Sequence, residues 1–398
     1  MKILITTDWY QPVINGVVTS TIGLAQGLES MGHDVRILTL SGSLRSYQED
    51  NVTYIGSVSV GLLYPNARLK MALTHRYIQE LIDWKPDIVH SQCEFSTFFL
   101  AKKIAQTCHA PLVHTYHTVY EDFTHYFSPN VRLGRMMAAA FSRRILAKTQ
   151  AVIAPTGKVS AMLARYGVRQ PIYTVPSGLN LDRLMQVESD TERSRLRGKL
   201  GIADQDSLFV YLGRLAREKN IEELFALLKE QAPPRTRLLL VGDGPHRESL
   251  ERLADEMNLS QRVIFAGMVQ PDQVWKYYKI GDVFVSASQS ETQGLTYIEA
   301  MASGLPVLCR KDPCLDAVIR QGDNGFMYTS AEQFGSISKS LFSSPDYRRT
   351  IGQAAQESAR NHFSVSGFAE AVNDVYCACL SQKATLNPLM QCNMPNVT

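Results

Sequence analysis

Residues 208–220 read Leu-Phe-Val-Tyr-Leu-Gly-Arg-Leu-Ala-Arg-Glu-Lys-Asn. The first five form a continuous apolar run, which is typical of a strand that is buried on both faces of a parallel sheet. Gly213 then permits a tight turn, and charged residues follow it. These lie at the carboxyl end of the strand, where doubly wound sheets bind their ligands. The stretch therefore predicts an α/β fold and the edge of the sheet that carries the function.

The same alternation of short apolar strands and helical segments occurs twice along the chain. The first series ends at Pro176-Ser177-Gly178-Leu179-Asn180, which is rich in turn formers, and the second starts near residue 207. Two such series predict two tandem Rossmann-like doubly wound domains that face each other across a cleft. The predicted segments are a first domain at 1–178, a second domain at 179–364, a C-terminal helix at about 365–383 and a flexible tail at 384–398. The predicted strands are Lys2–Thr7, Asp34–Leu40, Thr53–Val58, Asp87–Ser91, Pro111–His117, Ala151–Pro155 and Tyr173–Pro176, then Leu208–Leu212, Arg237–Val241, Val263–Ala266, Asp282–Ser286, Pro306–Cys309 and Gly325–Tyr328.

The composition is that of a globular protein, since 45% of the 398 residues are hydrophobic and 20% are charged. It excludes a wholly disordered chain. No run approaches the ~20 apolar residues of a membrane span. The apolar start of the chain is too short for a signal peptide, so we expect a cytoplasmic protein. The seven cysteines show no paired zinc-type spacing, and we expect them to be reduced.

Charge is unevenly distributed along the chain. The formal net charge is +3, but residues 1–180 hold 17 Lys and Arg against 11 Asp and Glu. This surplus suits contact with an anionic membrane surface, and ordinary scatter explains it equally well. A predicted helix near residues 131–148 is basic, and its apolar side, with Phe141 and Ile145, is expected to face the core. Its basic residues either bind an anionic leaflet or form a solvated face. The candidate membrane contacts are Arg132, Arg135, Arg143 and Arg144.

The strongest functional signal is Ser290-Glu-Thr-Gln-Gly-Leu-Thr-Tyr-Ile-Glu-Ala300, which follows a predicted strand and opens a helix. The N–H groups at this helix start are suited to a phosphate. Glu291 and Glu299 would lie ~12 Å apart along a helix. That is too far for the carboxylate pair of a retaining glycosidase, but it suits the two ends of a sugar nucleotide. Taken alone, either glutamate is better explained as an ordinary helix residue than as a ligand contact. The candidate donor-binding residues here are Thr292, Gln293, Gly294, Leu295 and Glu299, with Glu291 on the transferred sugar.

Two loops after predicted strands add to this donor site. Arg214 and Lys219 would stabilise the charge on a departing nucleoside diphosphate. Either residue alone is common in a surface loop, so the combination carries the interpretation. Gly213 precedes them, and Gly242 begins a Gly-Asp-Gly-Pro turn. A lone G-x-G is weak evidence for nucleotide binding, and a tight strand-to-helix turn explains it adequately.

The first domain contributes two candidate segments. Gly16 follows a potential N-cap, Asn15, and either admits a diphosphate or belongs to an ordinary loop. The second segment surrounds the end of the predicted strand Pro111–His117. His114 and His117 would point to opposite faces of that strand, which argues against a shared metal ion. We interpret His117 as a contact to the donor sugar or to the transition state. The candidate acceptor residues are Tyr120, Glu121, Asp122 and Tyr126.

We expect no metal, no cofactor and no nucleic-acid partner. The sequence Asp204-Gln205-Asp206 has the D-x-D form of some metal-dependent transferases. It precedes a strand instead of following one, so we interpret it as a turn.

Together these motifs resemble the GT-B glycosyltransferases of family four. The sequence from His114 to Asp122 is similar to that of bacterial diacylglycerol glucosyltransferases. The resemblance implies a retaining, α-linked transfer without a metal ion, and a final helix that crosses back to the first domain. It places His117 near the reacting carbon. The residues that it implies as donor contacts are Gly16, Arg214, Lys219, Glu291 and Glu299.

The motifs and the resemblance together predict a bacterial hexosyltransferase that attaches peripherally to the inner face of the cell membrane. The resemblance implies that it moves glucose from a UDP-sugar to diacylglycerol, by front-face attack after domain closure. The candidate catalytic residues are His117, Arg214, Lys219 and Glu291. Three alternatives stay open: a transferase for GDP-mannose or for a soluble or polyprenyl acceptor, a nucleotide-sugar epimerase or hydrolase, and a non-catalytic sugar-nucleotide sensor.

Overall fold

A computed structural model describes residues 1–59, 68–70, 76–121, 130–187 and 189–391. The chain divides into two compact units. The first unit consists of Met1–Gly178 together with Val365–Thr398, and the second is Leu179–Ser364. The division between Gly178 and Leu179 falls inside the stretch of turn formers.

The first unit is built on a largely parallel sheet. Its strands and those of a small antiparallel pair are β1 (Lys2–Thr6), β2 (Asp34–Leu40), β3 (Tyr47–Glu49), β4 (Val52–Ile55), β5 (Ser57–Ser59), β6 (Arg68–Lys70), β7 (Ile88–Ser91), β8 (Leu112–Thr115), β9 (Ala151–Ala154) and β10 (Ile172–Thr174). The order in the main sheet is β10-β9-β8-β7-β1-β2-β4-β3, and β3 alone of these runs antiparallel to its neighbour. The helices are α1 (Gly16–Ser30), α2 (Arg76–Trp84), α3 (Ser96–Thr107), α4 (Val131–Leu146) and α5 (Gly157–Arg165).

The second unit has a fully parallel sheet in the order β13-β12-β11-β14-β15-β16. The strands are β11 (Ser207–Leu212), β12 (Thr236–Val241), β13 (Val263–Gly267), β14 (Val283–Ser286), β15 (Val307–Arg310) and β16 (Gly325–Tyr328). The helices are α6 (Asp190–Lys199), α7 (Ile221–Glu230), α8 (Arg247–Glu256), α9 (Val274–Lys279), α10 (Leu295–Ala302), α11 (Ala331–Ser343) and α12 (Pro345–His362). The two Rossmann-like sheets that the sequence predicts are therefore present.

The final helix, α13 (Val365–Gln391), packs on the first unit. A Cβ atom on Gly27 of α1 would lie 2.6 Å from the Cβ of Ala369, so the two helices approach too closely for a larger residue. Deeper in the unit, the imidazole of His90 in β7 joins α13 to the sheet. Its Nδ1 lies 2.7 Å from the hydroxyl of Tyr376, and its Nε2 lies 2.7 Å from the hydroxyl of Thr115.

Several predicted boundaries are wrong. The strand Thr53–Val58 is divided between β4 and β5, and β3 was not predicted because its three residues are all exposed and show no apolar alternation. The final helix continues past residue 383 to Gln391. The helix therefore includes Asn387 and Pro388, which are turn formers by local preference. Residues 392–398 of the predicted tail lie outside the described part.

No helix in the described part of the chain is both long and apolar enough to cross a lipid bilayer. The cysteines within that part are free thiols.

Candidate active site

In each sheet the strand order reverses beside one strand. β1 lies between β2 and β7, and β11 lies between β12 and β14. At such a strand the connections to its two neighbours run on opposite faces of the sheet, which opens a crevice at the carboxyl ends of the strands. This crevice is the usual ligand position in this type of sheet. The residues that follow β1 and β7, and those that follow β11 and β14, are therefore the candidates for function in the two units.

The loop after β11 carries the two predicted cations. Gly213 has a φ of 152°, which favours glycine. Arg214 forms a short ion pair with Glu218, and the side chain of Glu218 is buried whereas that of Arg214 is exposed. The Nζ of Lys219 lies 2.6 Å from Oε1 of Glu291. Glu218 was not predicted from the sequence, although it stands between the two cations in the same motif.

The loop after β14 is held against the loop after β11. The hydroxyl of Ser290 donates a hydrogen bond of 3.0 Å to the carbonyl of Glu218. The side chains of Lys219 and Glu291 keep 20% and 15% of their surface exposed, so their ion pair is only partly screened by solvent. The structure thus brings Arg214, Lys219 and Glu291 together at the reversal point of the second sheet.

Helix α10 begins at this position. Its N-cap, Gly294, has a φ of 75°, and a Cβ there would lie 2.8 Å from the ring of Tyr297. The hydroxyl of Tyr297 donates to Ser286 at 2.7 Å and so fixes the helix to β14. The first amides of a helix have no intrahelical acceptor, and they carry the positive end of the helix dipole. Leu295 is therefore placed to present such an amide, and Thr292 and buried Gln293 immediately precede the N-cap.

Glu299 lies one turn into α10 and is partly buried, so it is not a solvated helix residue. The hydroxyl of Tyr278 donates a hydrogen bond of 2.8 Å to its Oε2. Burial raises the pKa of Glu299 to about 7, against the smaller lowering effect of this hydrogen bond. A carboxyl in this state is able both to accept hydrogen bonds from vicinal hydroxyls and to exchange a proton near neutral pH.

Close backbone packing explains why residue 242 is a glycine, without any ligand. A Cβ on Gly242 would lie 2.1 Å from the carbonyl oxygen of Gly213, and one on Gly244 would lie 2.3 Å from that of Leu215. The loops after β11 and β12 therefore pack backbone to backbone. A donor contact for Gly242 stays a prediction, since close packing alone requires glycine here.

In the first unit, His117 follows β8, which ends at Thr115 and not at His117 as predicted. Its Nε2 lies 2.7 Å from Oε1 of Gln92, which follows β7. Burial lowers the pKa of His117 to about 4, although Glu94 acts in the opposite direction. The imidazole is therefore neutral at pH 7.

A buried polar cluster that the sequence analysis missed lies beside His117. Glu94 keeps only 4% of its surface exposed. It accepts a hydrogen bond of 2.8 Å from the hydroxyl of Tyr120, and its other oxygen lies 3.3 Å from Nε2 of His114. Asp8, after β1, accepts from the amide and the hydroxyl of Thr97 at 2.7 Å each. The signal for these residues was available, because Gln92 and Glu94 directly follow a predicted strand, as Asp8 does.

The remaining residues predicted for the first unit have different surroundings. Asn15 is the N-cap of α1, and its Oδ1 accepts from the amide of Val18 at 2.9 Å, which leaves Gly16 exposed as the first helical residue. Glu121 ends a described segment and is partly exposed. The predicted acceptor residues Asp122 and Tyr126 lie outside the described residues.

Helix α4 presents both basic and apolar side chains to solvent. Its Ile145 is buried and Phe141 is partly buried, as predicted for the core-facing side, and Ala138 is buried with them. The predicted membrane contacts, Arg132, Arg135, Arg143 and Arg144, are all exposed. The first half of the helix also exposes large apolar side chains, which the sequence analysis did not single out. These are Val131, Leu133, Met136 and Met137, with Met136 at 69%.

No group of three or more His, Cys, Asp or Glu side chains among the described residues is arranged to hold a metal ion. The turn that contains Asp206 precedes β11, as predicted. Its carboxylate accepts from the amide of Ala203 at 3.1 Å and lies 2.9 Å from Nε of Arg237. Asp206 therefore has a structural role.

Comparison with known proteins gives the same fold and a family. Residues 14–183 match the Glycosyltransferase Family 4 model, and residues 192–358 match that of the Glycosyl transferases group 1. The alpha-monoglucosyldiacylglycerol synthase of Acholeplasma laidlawii is 32% identical over 375 residues, which is 90% of this chain and 93% of that one. The synthase of the same name from Streptococcus pneumoniae is 33% identical over 94% of this chain and 85% of its own.

Among solved structures, Anabaena Alr3699/HepE in complex with UDP-glucose has a TM-score of 0.75 at 20% identity, over 95% of this chain and all of that one. At that identity the likeness concerns the fold, whereas the two family models and the two synthases extend over most of the sequence. The chain therefore belongs to the group 1, family 4 glycosyltransferases, which have the GT-B fold.

Proposed function

We propose that this glycosyltransferase moves glucose from UDP-glucose to diacylglycerol in a membrane, with retention at the anomeric carbon. The two synthases are named for an α-linked glucosyl group on diacylglycerol, and HepE was solved with UDP-glucose. UDP-glucose is itself α-linked, so an α-linked product corresponds to retention. The observation that carries the proposal is the Lys219–Glu291 pair beside Arg214 at the start of α10.

The donor half of the proposal follows from charge. As the glycosidic bond breaks, a nucleoside diphosphate gains negative charge, and fixed cations and oriented amides stabilise it. Arg214, Lys219 and the N-terminus of α10 supply such groups within one part of the second unit. Glu291 neutralises Lys219 in the structure, and in the proposal it also accepts hydrogen bonds from the transferred sugar. Glu299 takes the ribose hydroxyls.

The same groups bear on whether a divalent cation is needed. We propose that transfer proceeds without a metal ion, because the guanidinium of Arg214, the ammonium of Lys219 and the first amides of α10 are hydrogen-bond donors suited to the charge of the diphosphate. The rate after dialysis against EDTA is the test. A rate that falls and returns with Mg²⁺ or Mn²⁺ would contradict this part of the proposal.

The acceptor half lies in the first unit. His117 is neutral at pH 7, so it is suited to accept or donate one hydrogen bond to a reacting hydroxyl and not to act as a cation. In a front-face reaction the lipid hydroxyl forms the new bond to the anomeric carbon as the bond to the diphosphate breaks. The hydroxyl proton passes to the departing phosphate oxygen. Tyr120 and Glu121 line the acceptor side in this proposal.

Attachment to the cytoplasmic face of the membrane is a further part of the proposal. The exposed apolar side chains of α4 are able to enter the headgroup region, while its arginines contact anionic lipids. Flotation with vesicles that contain about 30% phosphatidylglycerol tests this. Replacing Met136 and Met137 by serine should reduce the bound fraction at least as strongly as replacing Arg132 and Arg135 by glutamine. Equal flotation of all variants would contradict this attachment.

The activity test combines radiolabelled UDP-glucose and GDP-mannose with vesicles that contain diacylglycerol. Glucolipid from UDP-glucose supports the proposal, and transfer from GDP-mannose identifies the other donor class. Free sugar without lipid product indicates a hydrolase, and binding without turnover indicates a sensor. Arg214→Ala and Glu291→Ala should each lower the rate by ~10²–10³. Undiminished transfer by both variants would refute the assigned site.

A further inference from the structure

The imidazole of His117 is held by a neutral side chain. Its Nε2 lies 2.7 Å from Oε1 of Gln92, and this is its one hydrogen-bond partner among the described residues. An amide oxygen only accepts hydrogen bonds, so Nε2 carries the hydrogen. In a neutral imidazole the other nitrogen, Nδ1, is then the acceptor.

Gln92 is itself firmly placed. It is 2% exposed, and its backbone amide donates to the carbonyl of Thr6 in β1 at 2.8 Å. Its Nε2 is buried and has no hydrogen-bond partner within the described residues. An unpaired buried donor is destabilising, and an apolar residue at this position would avoid that penalty. A role for the amide oxygen as the hydrogen-bond acceptor of His117 explains why glutamine is nevertheless present.

We propose that Gln92 is a positioning residue, which holds His117 in the neutral Nε2–H tautomer so that Nδ1 accepts a hydrogen bond from a substrate hydroxyl. This inference rests on the proposed function only in naming the substrate. The hydroxyl belongs either to the transferred sugar or to the lipid acceptor, and both present the same chemistry to Nδ1. A protonated imidazole would lose this acceptor.

The surroundings favour the neutral state. The titratable groups that interact with His117 in the described part are Glu94, which follows β7, together with His114 in β8 and His90 in β7. Burial outweighs the attraction of Glu94 and keeps the pKa of His117 at about 4. A carboxylate in place of the Gln92 amide would stabilise the imidazolium directly and raise that pKa.

The first experiment does not depend on activity. Nitrogen NMR of the protein labelled at its histidines, with His117 assigned from the His117→Asn variant, should show the Nε2–H tautomer without titration between about pH 5 and 9. In Gln92→Glu the same signal should titrate above about pH 6. Gln106→Glu, which adds the same charge on an exposed part of α3, should leave it unchanged. An Nδ1–H tautomer in the wild type, or no titration in Gln92→Glu, would overturn the inference.

The second experiment is a double-mutant cycle on transfer. Gln92→Ala should lower kcat/KM about 10-fold in the wild type and by less than about 2-fold in a His117→Ala background, because the residue acts through His117. If Gln92→Ala weakens the binding of UDP-glucose measured in the absence of lipid, the hydroxyl belongs to the sugar. If it instead raises the KM for diacylglycerol, the hydroxyl belongs to the lipid. Equal losses in both backgrounds would refute the positioning role. No transfer by the wild type would instead refute the proposed function and leave the NMR result to stand alone.

Discussion

Replacing Lys219 by methionine tests the donor site most directly. The substitution removes a cation that would face the diphosphate, and with it the Nζ that lies 2.6 Å from Oε1 of Glu291. Loss of one group that stabilises developing charge typically costs ~10²–10³ in rate, or about 2.7–4 kcal/mol. Both side chains are mostly buried, so we expect the Glu291 carboxylate, once the Lys219 cation is gone, to add repulsion toward the donor.

Removing the carboxylate of Glu291 as well tests this repulsion. In Lys219→Met/Glu291→Gln the repulsive carboxylate is gone, so the double variant should be less impaired than the product of the two single losses. Contacting residues usually couple by about 0.5–3 kcal/mol, which is ~2–150-fold in kcat/KM. Glu291 also has its own role toward the sugar, so activity should not return to the wild-type level.

The assay is kcat/KM with UDP-glucose and diacylglycerol vesicles, with melting temperature as the check on folding. Lys339→Met, on the exposed surface of α11, makes the same change in net charge and should leave the rate within about 2-fold. Strictly multiplicative losses for Lys219 and Glu291, or an equal loss from Lys339→Met, would show that the ion pair has no specific role.

Three further predictions concern glycines and one carboxyl. Gly294→Ala should lower kcat/KM at least 10-fold and the free energy of unfolding by about 2 kcal/mol or more, because the backbone strain at a φ of 75° adds to the close contact with the ring of Tyr297. The control is Gly322→Ala, at a φ of 79° with open space around it, which should show the strain alone and keep its activity. Gly27→Ala should destabilise the protein by about 1–3 kcal/mol, because the new methyl group would force α1 away from α13. Gly157→Ala, in open space at the start of α5, should not destabilise it. Equal melting points of the two variants would refute this packing. Because the pKa of Glu299 is raised to about 7 in the fold, the unfolded chain releases that proton first, so stability falls as the pH rises from about 4.5 to 7. Melting curves of Glu299→Gln should show a shallower fall over that window, and parallel curves would contradict the assignment.

Much of the fold could be predicted because it depends on local pattern. Continuous apolar runs such as Leu208–Leu212 are buried on both faces, and turn formers near Gly178 separate the two series. The edge strand β3 escaped prediction since an exposed polar strand carries no apolar periodicity. The end of α13 escaped it because the helix continues through Asn387 and Pro388, against their local preference.

The donor motif was equally readable, since Lys219 and Glu291 each follow a strand of the same sheet. By itself the sequence determined the two sheets, the loops that carry charge and the residue types in them. Only the tertiary structure decided the partners: Glu291 lies on Lys219, 72 residues away in sequence, and Gln92 lies on His117, 25 residues away. The physical reason is that a parallel sheet brings together loops whose spacing along the chain is set by the intervening helices. Burial there then fixes protonation states, such as that of His117, which no single residue reveals.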